Sequence, residues 1–436
     1  LRQPAVLLLV ELDLRPAHGV REVHRLVGLA GLLWNAGMDA EEQVRRPETA
    51  TPEQRLHALR RRMERLLGIP ATEGNRLTIL RNGDEIFPAM LEAIRTAKTT
   101  IDFLTFVYWQ GDIAREFAHA LAERAEAGVR VRVLLDAVGG RRMDRGLIAR
   151  MESCGAQVEW FRRPHTISPI KQNHRTHRKL LICDEGVGFT GGVGIAEEWC
   201  GDARHEGEWR DTHVRVEGPA VDGLAAAFSQ NWAETGRPLS DEADRFPDLD
   251  APGDSVAVVA RGSASVGWND MATVFRVLIE SAQERVRLAT AYFTPDPWFE
   301  QLLLDTAARG VEIDLLLPGP HADKRVSRTA SESTYGRLHE GGIRVWNFAP
   351  SMMHAKITTV DRLVFVLGSA NFNRRSMSHD EEVVLCAFDP DLTLVLDEHY
   401  DDDLRRSIRI EPRRWAERPV HRRAVEKAST VIHRWL

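Results

Sequence analysis

Apolar positions along this chain change spacing in an order that is played twice. Over residues 88–97 the stripe Met90, Leu91, Ile94 and Ala97 has the three-and-four spacing of an amphipathic helix. Residues 101–107 are a short apolar run that ends in Tyr108-Trp109 and predicts a strand. Helical spacing returns over 113–127 and stops at Gly128, and 129–135, rich in Val and Leu, predicts the next strand, ending at Asp136. Strand, helix and strand at this spacing make a βαβ unit with parallel pairing. A helix over 144–153, a strand at 157–161 and the apolar run 180–183 follow. The second series has a helix over 274–282, a strand over 286–291 ending in Tyr292-Phe293, a helix over 298–308 that stops at Gly310, and strands over 311–317 and 343–348. In this reading Tyr108-Trp109 pairs with Tyr292-Phe293, and Gly128 with Gly310.

A tighter repeat sits inside the looser one. His177, Lys179 and Asp184 stand before the pair Gly191-Gly192, and His354, Lys356 and Asp361 stand before Gly368-Ser369 in the same register, 177 positions on. The chain then divides into an extension over 1–70, a first repeat over 71–235, an acidic linker over 236–254, a second repeat over 255–400 and a basic tail over 401–436. Each repeat is domain-sized. The fold class is α/β, with two halves expected to pack about a pseudo-two-fold like a homodimer fused into one chain. A monomer with an internal pseudo-dimer results, with one active site at the seam.

A His and a Lys two apart on a strand face the same way. Two such pairs meeting at a seam surround one cavity with two imidazoles and two ammonium groups. The ammonium groups suit the oxygens of a phosphoryl group. One His can attack phosphorus and form a covalent intermediate. The other can protonate the leaving alkoxide and then deprotonate the incoming alcohol or water. Lys supplies the positive charge, so the scheme calls for no metal and no cofactor. Each His needs a carboxylate to fix its tautomer. Asp211 and Glu382, each some thirty residues past the His of its own repeat and each leading into an apolar run, are the expected partners of His177 and His354. Asp184 and Asp361 are expected to be structural, anchoring turns. With no perturbation both histidines would titrate near about 6.5.

Charge and composition narrow the class. At 43% hydrophobic and 28% charged the chain has the make-up of a soluble globular protein. Its net charge of −6 argues against a general polyanion binder, although residues 405–436 carry ten Lys/Arg against three Glu. Such a tail suits anionic lipid or nucleic acid, or simply a solvated face. The basic run 171–179 is read as contact with a headgroup phosphate rather than as a nucleic-acid patch. Residues 51–67 predict a helix with Leu56, Leu59, Met63, Leu66 and Leu67 on one side and Arg60, Arg61, Arg62 and Arg65 between them, an ordinary surface helix or a membrane-surface one. The apolar stretch 26–34 is too short to span a bilayer. The four cysteines form no CxxC pair and are expected to be reduced thiols. The expected place is the cytoplasm, peripheral at the inner membrane surface. Residue 1 is Leu, which leaves room for an anchor upstream.

The paired His-x-Lys-x4-Asp-x6-Gly-Gly/Ser pattern resembles the phospholipase D superfamily. From about residue 75 onward the chain looks like its bacterial cardiolipin synthase branch, through Gly128 to Asp136, Trp209-Arg210-Asp211-Thr212-His213, Tyr292-Phe293-Thr294-Pro295, Gly368-Ser369-Ala370-Asn371 and Arg375-Ser376. The resemblance implies an α/β/α sandwich in each half, His177 as nucleophile through a phosphohistidine-type intermediate, and His354 as acid/base. It implies that Lys179, Lys356 and Asn371 bind phosphate, with Ser369 and Gly192 beside them. It implies phosphatidyl transfer from one phosphatidylglycerol to another, at an anionic membrane. Gly194 stands where the family carries Asn, and Asp380 where an Asn is common. A hydrolase of the same chemistry, a nuclease of the same superfamily, which the acidic body disfavours, and a weakly active lipid-binding protein are the competing functions.

Overall fold

Both series of elements enter one continuous sheet in the computed structural model, which describes residues 50–163, 173–240, 247–263 and 268–417. The first half supplies β1 (Thr72–Arg81), β2 (Thr100–Thr105), β3 (Arg130–Asp136), β4 (Gln157–Phe161), β5 (Leu180–Cys183), β6 (Val187–Gly191) and β7 (Thr212–Glu217). The second supplies β8 (Ser255–Ser263), the short β9 (Trp268–Asn269), β10 (Arg285–Ala289), β11 (Glu312–Pro318), β12 (Arg344–Phe348), β13 (Ile357–Val360), β14 (Val364–Gly368), β15 (Glu382–Ala387) and β16 (Ser407–Arg409). From one edge the order is β4-β3-β2-β5-β6-β7-β1, and from the other β16-β12-β11-β10-β13-β14-β15-β8. β1 and β8 join the two series, antiparallel, with Thr72 opposite Ala257. Every residue of β2, β5, β13, β14 and β15 is buried, because helices cover both faces, and this is why these strands read as continuous apolar runs instead of alternating ones. The pairing β2–β3–β4 is parallel, as is β10–β11–β12, as the βαβ reading requires.

Each half has its own core on the outer face of its sheet. A third cluster, containing Leu104, Phe228 and Trp232 from the first half with Leu316, Phe365 and Tyr400 from the second, is common to both. It lies under the helices Val221–Trp232 and Pro390–Arg405. The architecture is therefore two α/β/α halves related by a pseudo-two-fold, with a shared core at the join.

Four expectations change. The helix expected from residue 88 runs Asn82–Thr96, with Pro88 inside it. Proline favours a first turn, which hid the true start; there Asp84 and Glu85 fill the first turn and Glu85 accepts from the Arg81 amide at 2.8 Å. The strand-end aromatics pair one residue out of step with the sequence reading. The Trp109 and Thr294 amides make the equivalent bonds, to Ile195 and Phe372, so Tyr108 matches Phe293 in the core and Val107 matches Tyr292. The basic helix Pro52–Leu67 buries Leu59, Met63 and Leu67 in the core of the second half. Arg55 pairs with Asp361 and Glu284, Arg62 with Glu280, and Arg60 with Glu64 and Glu73, so most of its apolar stripe is taken up by the second half, while Leu66 stays exposed. Finally, Pro390–Arg405 is one helix and β16 pairs with β12, so the start of the basic tail is built into the second half. The expectations for residues 1–49, the linker segment 241–246 and the tail beyond 417 lie outside the described residues.

Asp184 and Asp361 occupy matching turns at φ +52° and +54°. Asp184 accepts from the amides of Lys98, Thr99 and Thr100, and Asp361 from those of Gln283, Glu284 and Arg285. Each ties the strand it follows to the start of the neighbouring antiparallel strand, β5 to β2 and β13 to β10. All four cysteines are free thiols, Cys183 and Cys386 buried.

Candidate active site

The two His-x-Lys segments are extended chain entering β5 and β13, so each His and Lys face one side. Their backbones are tied across the seam. The His177 amide donates to the Glu381 carbonyl at 2.9 Å, and the His354 amide donates to the Arg210 carbonyl at 2.7 Å. Residues 210 and 381 each precede a carboxylate, and this fixes which carboxylate each imidazole meets. His177 Nδ1 lies 3.1 Å from Glu382 Oε1, and His354 Nδ1 lies 2.7 Å from Asp211 Oδ2. The in-half pairing expected from spacing is thus replaced by a crossed one. Each imidazole takes its carboxylate from the other half.

The two carboxylates are held differently. Glu382 accepts from the hydroxyls of Ser369 and Ser376, the latter at 2.6 Å. Asp211 accepts from the Trp199 indole at 2.9 Å and the Thr212 amide at 2.8 Å. Asn82 clamps the Asp211 backbone, donating to its carbonyl and accepting from its amide. Trp199 and Ser376 stand in the same place in the two halves. Their separation in sequence equals that of the two histidines, a signal masked by the unlike side chains. Ser369 and Gly192 are matched in the same way, and the structure puts both behind the carboxylates instead of at the cavity: Ser369 is bonded to Glu382, and a Cβ at Gly192 would collide with the Asp211 carboxylate. Of the three positions expected to bind substrate, Asn371 alone lines the cavity.

Lys179 Nζ donates to the His177 carbonyl at 2.6 Å and lies 5.5 Å from the centre of the Phe106 ring. Lys356 donates to the His354 carbonyl, with Nζ 2.8 Å from His354 Nδ1. Burial, with the Lys356 ammonium close by, pushes Lys179 down to about 7, and burial pushes Lys356 down to about 8 against the pull of Asp211 and Glu382. Burial and the same lysines hold His177 well below its ordinary value and His354 down to about 4, so both leave the region of 6.5 expected from unperturbed imidazoles. Burial raises Glu382 to about 7, whereas Lys356 and His354 outweigh burial at Asp211 and hold it at about 2.

These shifts predict how stability follows pH. His177, His213, His354 and His399 all titrate lower in the folded protein than in the unfolded chain, three of them at about 4. Between about pH 6.5 and 4 the unfolded chain therefore binds more protons, and stability is lost as pH falls through this window; Glu382, raised to about 7, offsets one of the four. The midpoint of heat unfolding is expected to be clearly lower at pH 5 than at pH 7 by circular dichroism. A midpoint that does not move would contradict the burial of neutral imidazoles.

Around His177, Lys179, His354 and Asn371 lies a cavity of about 570 Å³. The wall from the first half is apolar, made by Phe106, Val107, Trp109, Val138, Trp199 and Trp209; the wall from the second half carries Tyr292, Lys324, Arg325 and Arg375. His354 stands between Trp199 and Trp209, at 5.1 and 5.4 Å between ring centres. Gly194 is filled from both sides, since a Cβ there would lie 2.7 Å from Val107 Cβ and 3.2 Å from the Trp199 ring, so no asparagine fits. The basic run before Lys179 is not a surface patch where it is described: Arg175 and Arg178 are buried, Arg175 bonded to Asp136 and Arg178 to backbone carbonyls beside Glu381.

Two fused α/β/α halves with a crossed His-Lys site at the seam define the phospholipase D fold. The crystal structure of phosphatidylserine synthase from Haemophilus influenzae Rd KW20 is similar, with a TM-score of 0.60 at 16% identity over 86% of this chain and 98% of that one. So is polyphosphate kinase from Porphyromonas gingivalis, with a TM-score of 0.53 at 17% identity over 83% of this chain and 53% of that one. The family model described as "Cardiolipin synthase, PLD-like domain" matches residues 90–232 and 275–404. "Cardiolipin synthase 2" of Bacillus anthracis is 31% identical over 361 residues, 81% of this chain and 69% of the relative. "Cardiolipin synthase A" of Pseudomonas syringae pv. syringae (strain B728a) is 31% identical over 371 residues, 84% of this chain and 75% of the relative. The chain belongs to the cardiolipin synthase, phospholipase D-like domain family.

Proposed function

We propose that the chain is a phosphatidyltransferase of the cardiolipin synthase type, working through a covalent intermediate on His177. A phosphatidylglycerol enters with its phosphate between Lys179, Lys356 and Asn371. His177 Nε2, with Nδ1 turned to Glu382, attacks phosphorus; the P–N bond forms as the P–O bond to the headgroup glycerol breaks. His354 gives its proton to the leaving glycerol oxygen. The phosphate anion favours the imidazolium that burial and Lys356 disfavour, so His354 is charged when substrate is present. A second phosphatidylglycerol then offers its terminal hydroxyl. His354 takes that proton, the new P–O bond forms, and the P–N bond breaks to release cardiolipin and neutral His177.

The observation that carries this reading is the convergence of His177, Lys179 and His354 on one cavity with a wall of aromatic and aliphatic side chains. An apolar wall suits a diacylglycerol moiety, and a nucleic-acid channel would need a long basic groove instead. Val138, 52% exposed, and Val326, 42% exposed, flank the mouth from opposite halves and support peripheral contact with the bilayer there. Among the described residues no helix is long and apolar enough to cross a membrane.

The test is to incubate the purified protein with phosphatidylglycerol vesicles, without added metal, and follow the lipids by mass spectrometry. Cardiolipin together with released glycerol is expected. Phosphatidic acid alone would mean that water takes the phosphatidyl group and the protein is a hydrolase. No product would move the search to other phosphodiesters, single-stranded DNA first.

A further inference from the structure

The cations around the cavity fall into two sets. Arg175 is paired with Asp136 at 2.9 Å and Arg375 with Asp380 at 2.8 Å, while Lys179 and Lys356 are balanced by Glu382 and Asp211. Lys324 and Arg325 also line the cavity, both exposed, and neither forms an ion pair with another described residue. They stand at the start of the helix Arg325–Glu332, which follows β11 on the second-half wall. Lys324 is seated: its Nζ lies 4.8 Å from the centre of the Tyr292 ring, and the Tyr292 hydroxyl donates to Asp323 at 2.6 Å. Its charge reaches inward far enough to oppose protonation of His177. Asp323 lines the same wall but is taken up by the Tyr292 hydroxyl. Two exposed cations beside one carboxylate leave net positive charge on this wall, one step outward from a phosphate site with lysines of its own, and that exceeds what a single phosphodiester requires.

We propose that Lys324 and Arg325 form a second anion subsite that holds the phosphate of the accepting lipid. The inference rests on the transferase reading above and says how acceptor is chosen. An accepting phosphatidylglycerol carries its own phosphate three carbons from the hydroxyl that attacks. Gripping that phosphate on the second-half wall brings the hydroxyl to the phosphorus on His177 and turns a bimolecular encounter into a positioned one. Water and simple alcohols have no phosphate and gain nothing from the pair. The subsite therefore favours lipid alcohol over water at the covalent intermediate.

The test is a competition. Wild-type protein and the double variant Lys324→Ala/Arg325→Ala are given phosphatidylglycerol vesicles with ethanol present, and the ratio of cardiolipin to phosphatidylethanol is read by mass spectrometry. Both products leave the same intermediate, so the ratio cancels any effect on donor cleavage, vesicle binding or the titration of His177. The ratio is expected to fall roughly tenfold in the double variant, the size of loss set by charge-assisted contacts to one phosphate. The charge-keeping variant Lys324→Arg/Arg325→Lys is expected to hold most of it. An unchanged ratio, whether both products fall together or neither does, would overturn the subsite. Wild-type protein that makes phosphatidylethanol but no cardiolipin would overturn the transferase reading itself, and the subsite with it.

Discussion

Replacing His177 with alanine is expected to cut formation of every phosphatidyl product by at least about a thousandfold, since the covalent route disappears and no neighbouring group can take its place. His354 is not expected to take over the attack, because its ring is walled by two tryptophans while its Nδ1 faces Asp211. The variant keeps Lys179 at the cavity and Lys356 beside His354, and vesicle binding is expected to persist. Loss of the imidazole also removes a group that is buried neutral, so the variant is expected to melt no lower than the parent at pH 5. A variant that folds and still turns over at a tenth of the parental rate would show that His177 is not the nucleophile.

Asp211→Asn is expected to lower kcat by roughly a hundredfold to ten-thousandfold with KM little changed. Asp211 is ionised across the working range and lies 2.7 Å from His354 Nδ1, so it holds the tautomer whose Nε2 can exchange a proton at the cavity. An amide keeps the shape but offers either a donor or a neutral acceptor to Nδ1, and the charge that favours imidazolium is gone. Glu382→Gln is expected to cost less, because burial already leaves Glu382 near half-charged at neutral pH and two serine hydroxyls help to hold it. The crossed geometry sharpens the test. Asp211→Asn should damage proton transfer by His354, and Glu382→Gln the attack by His177, so trapping the phosphatidyl group on the protein after a single turnover separates them. An unchanged rate in Glu382→Gln would remove that residue from any orienting role.

Much of this site could be read from the chain, because its most informative features are local. The spacing of His, Lys, Asp and Gly fixes strand, turn and strand in both halves, and the matching displacement of the two copies implies the seam. The carboxylates were also legible as residues: Asp211 and Glu382 each precede an apolar strand. Which imidazole each would meet was not, because a repeat is equally consistent with partners in the same half and in the other. The choice is made by long-range pairing, β1 against β8 and the two backbone bonds from His177 and His354 across the seam. The basic helix Pro52–Leu67 shows the same limit. Its apolar stripe was plain, but a bilayer and the core of the second half accept the same stripe, and the sequence does not distinguish them. Lys324 and Arg325 fall in the connection between β11 and β12, and its first-half counterpart between β3 and β4 is built from different elements, so comparison between repeats does not single them out.

The crossing of the carboxylates has a consequence for the protein as it is made. The half that carries His177 leaves the ribosome first, and at that point its imidazole has no carboxylate, because Glu382 lies in the half still to be synthesised. A growing chain therefore carries a histidine whose site is still unbuilt. The pair is complete only once β15 of the second half has closed on the first, so the site is assembled by folding and not by synthesis.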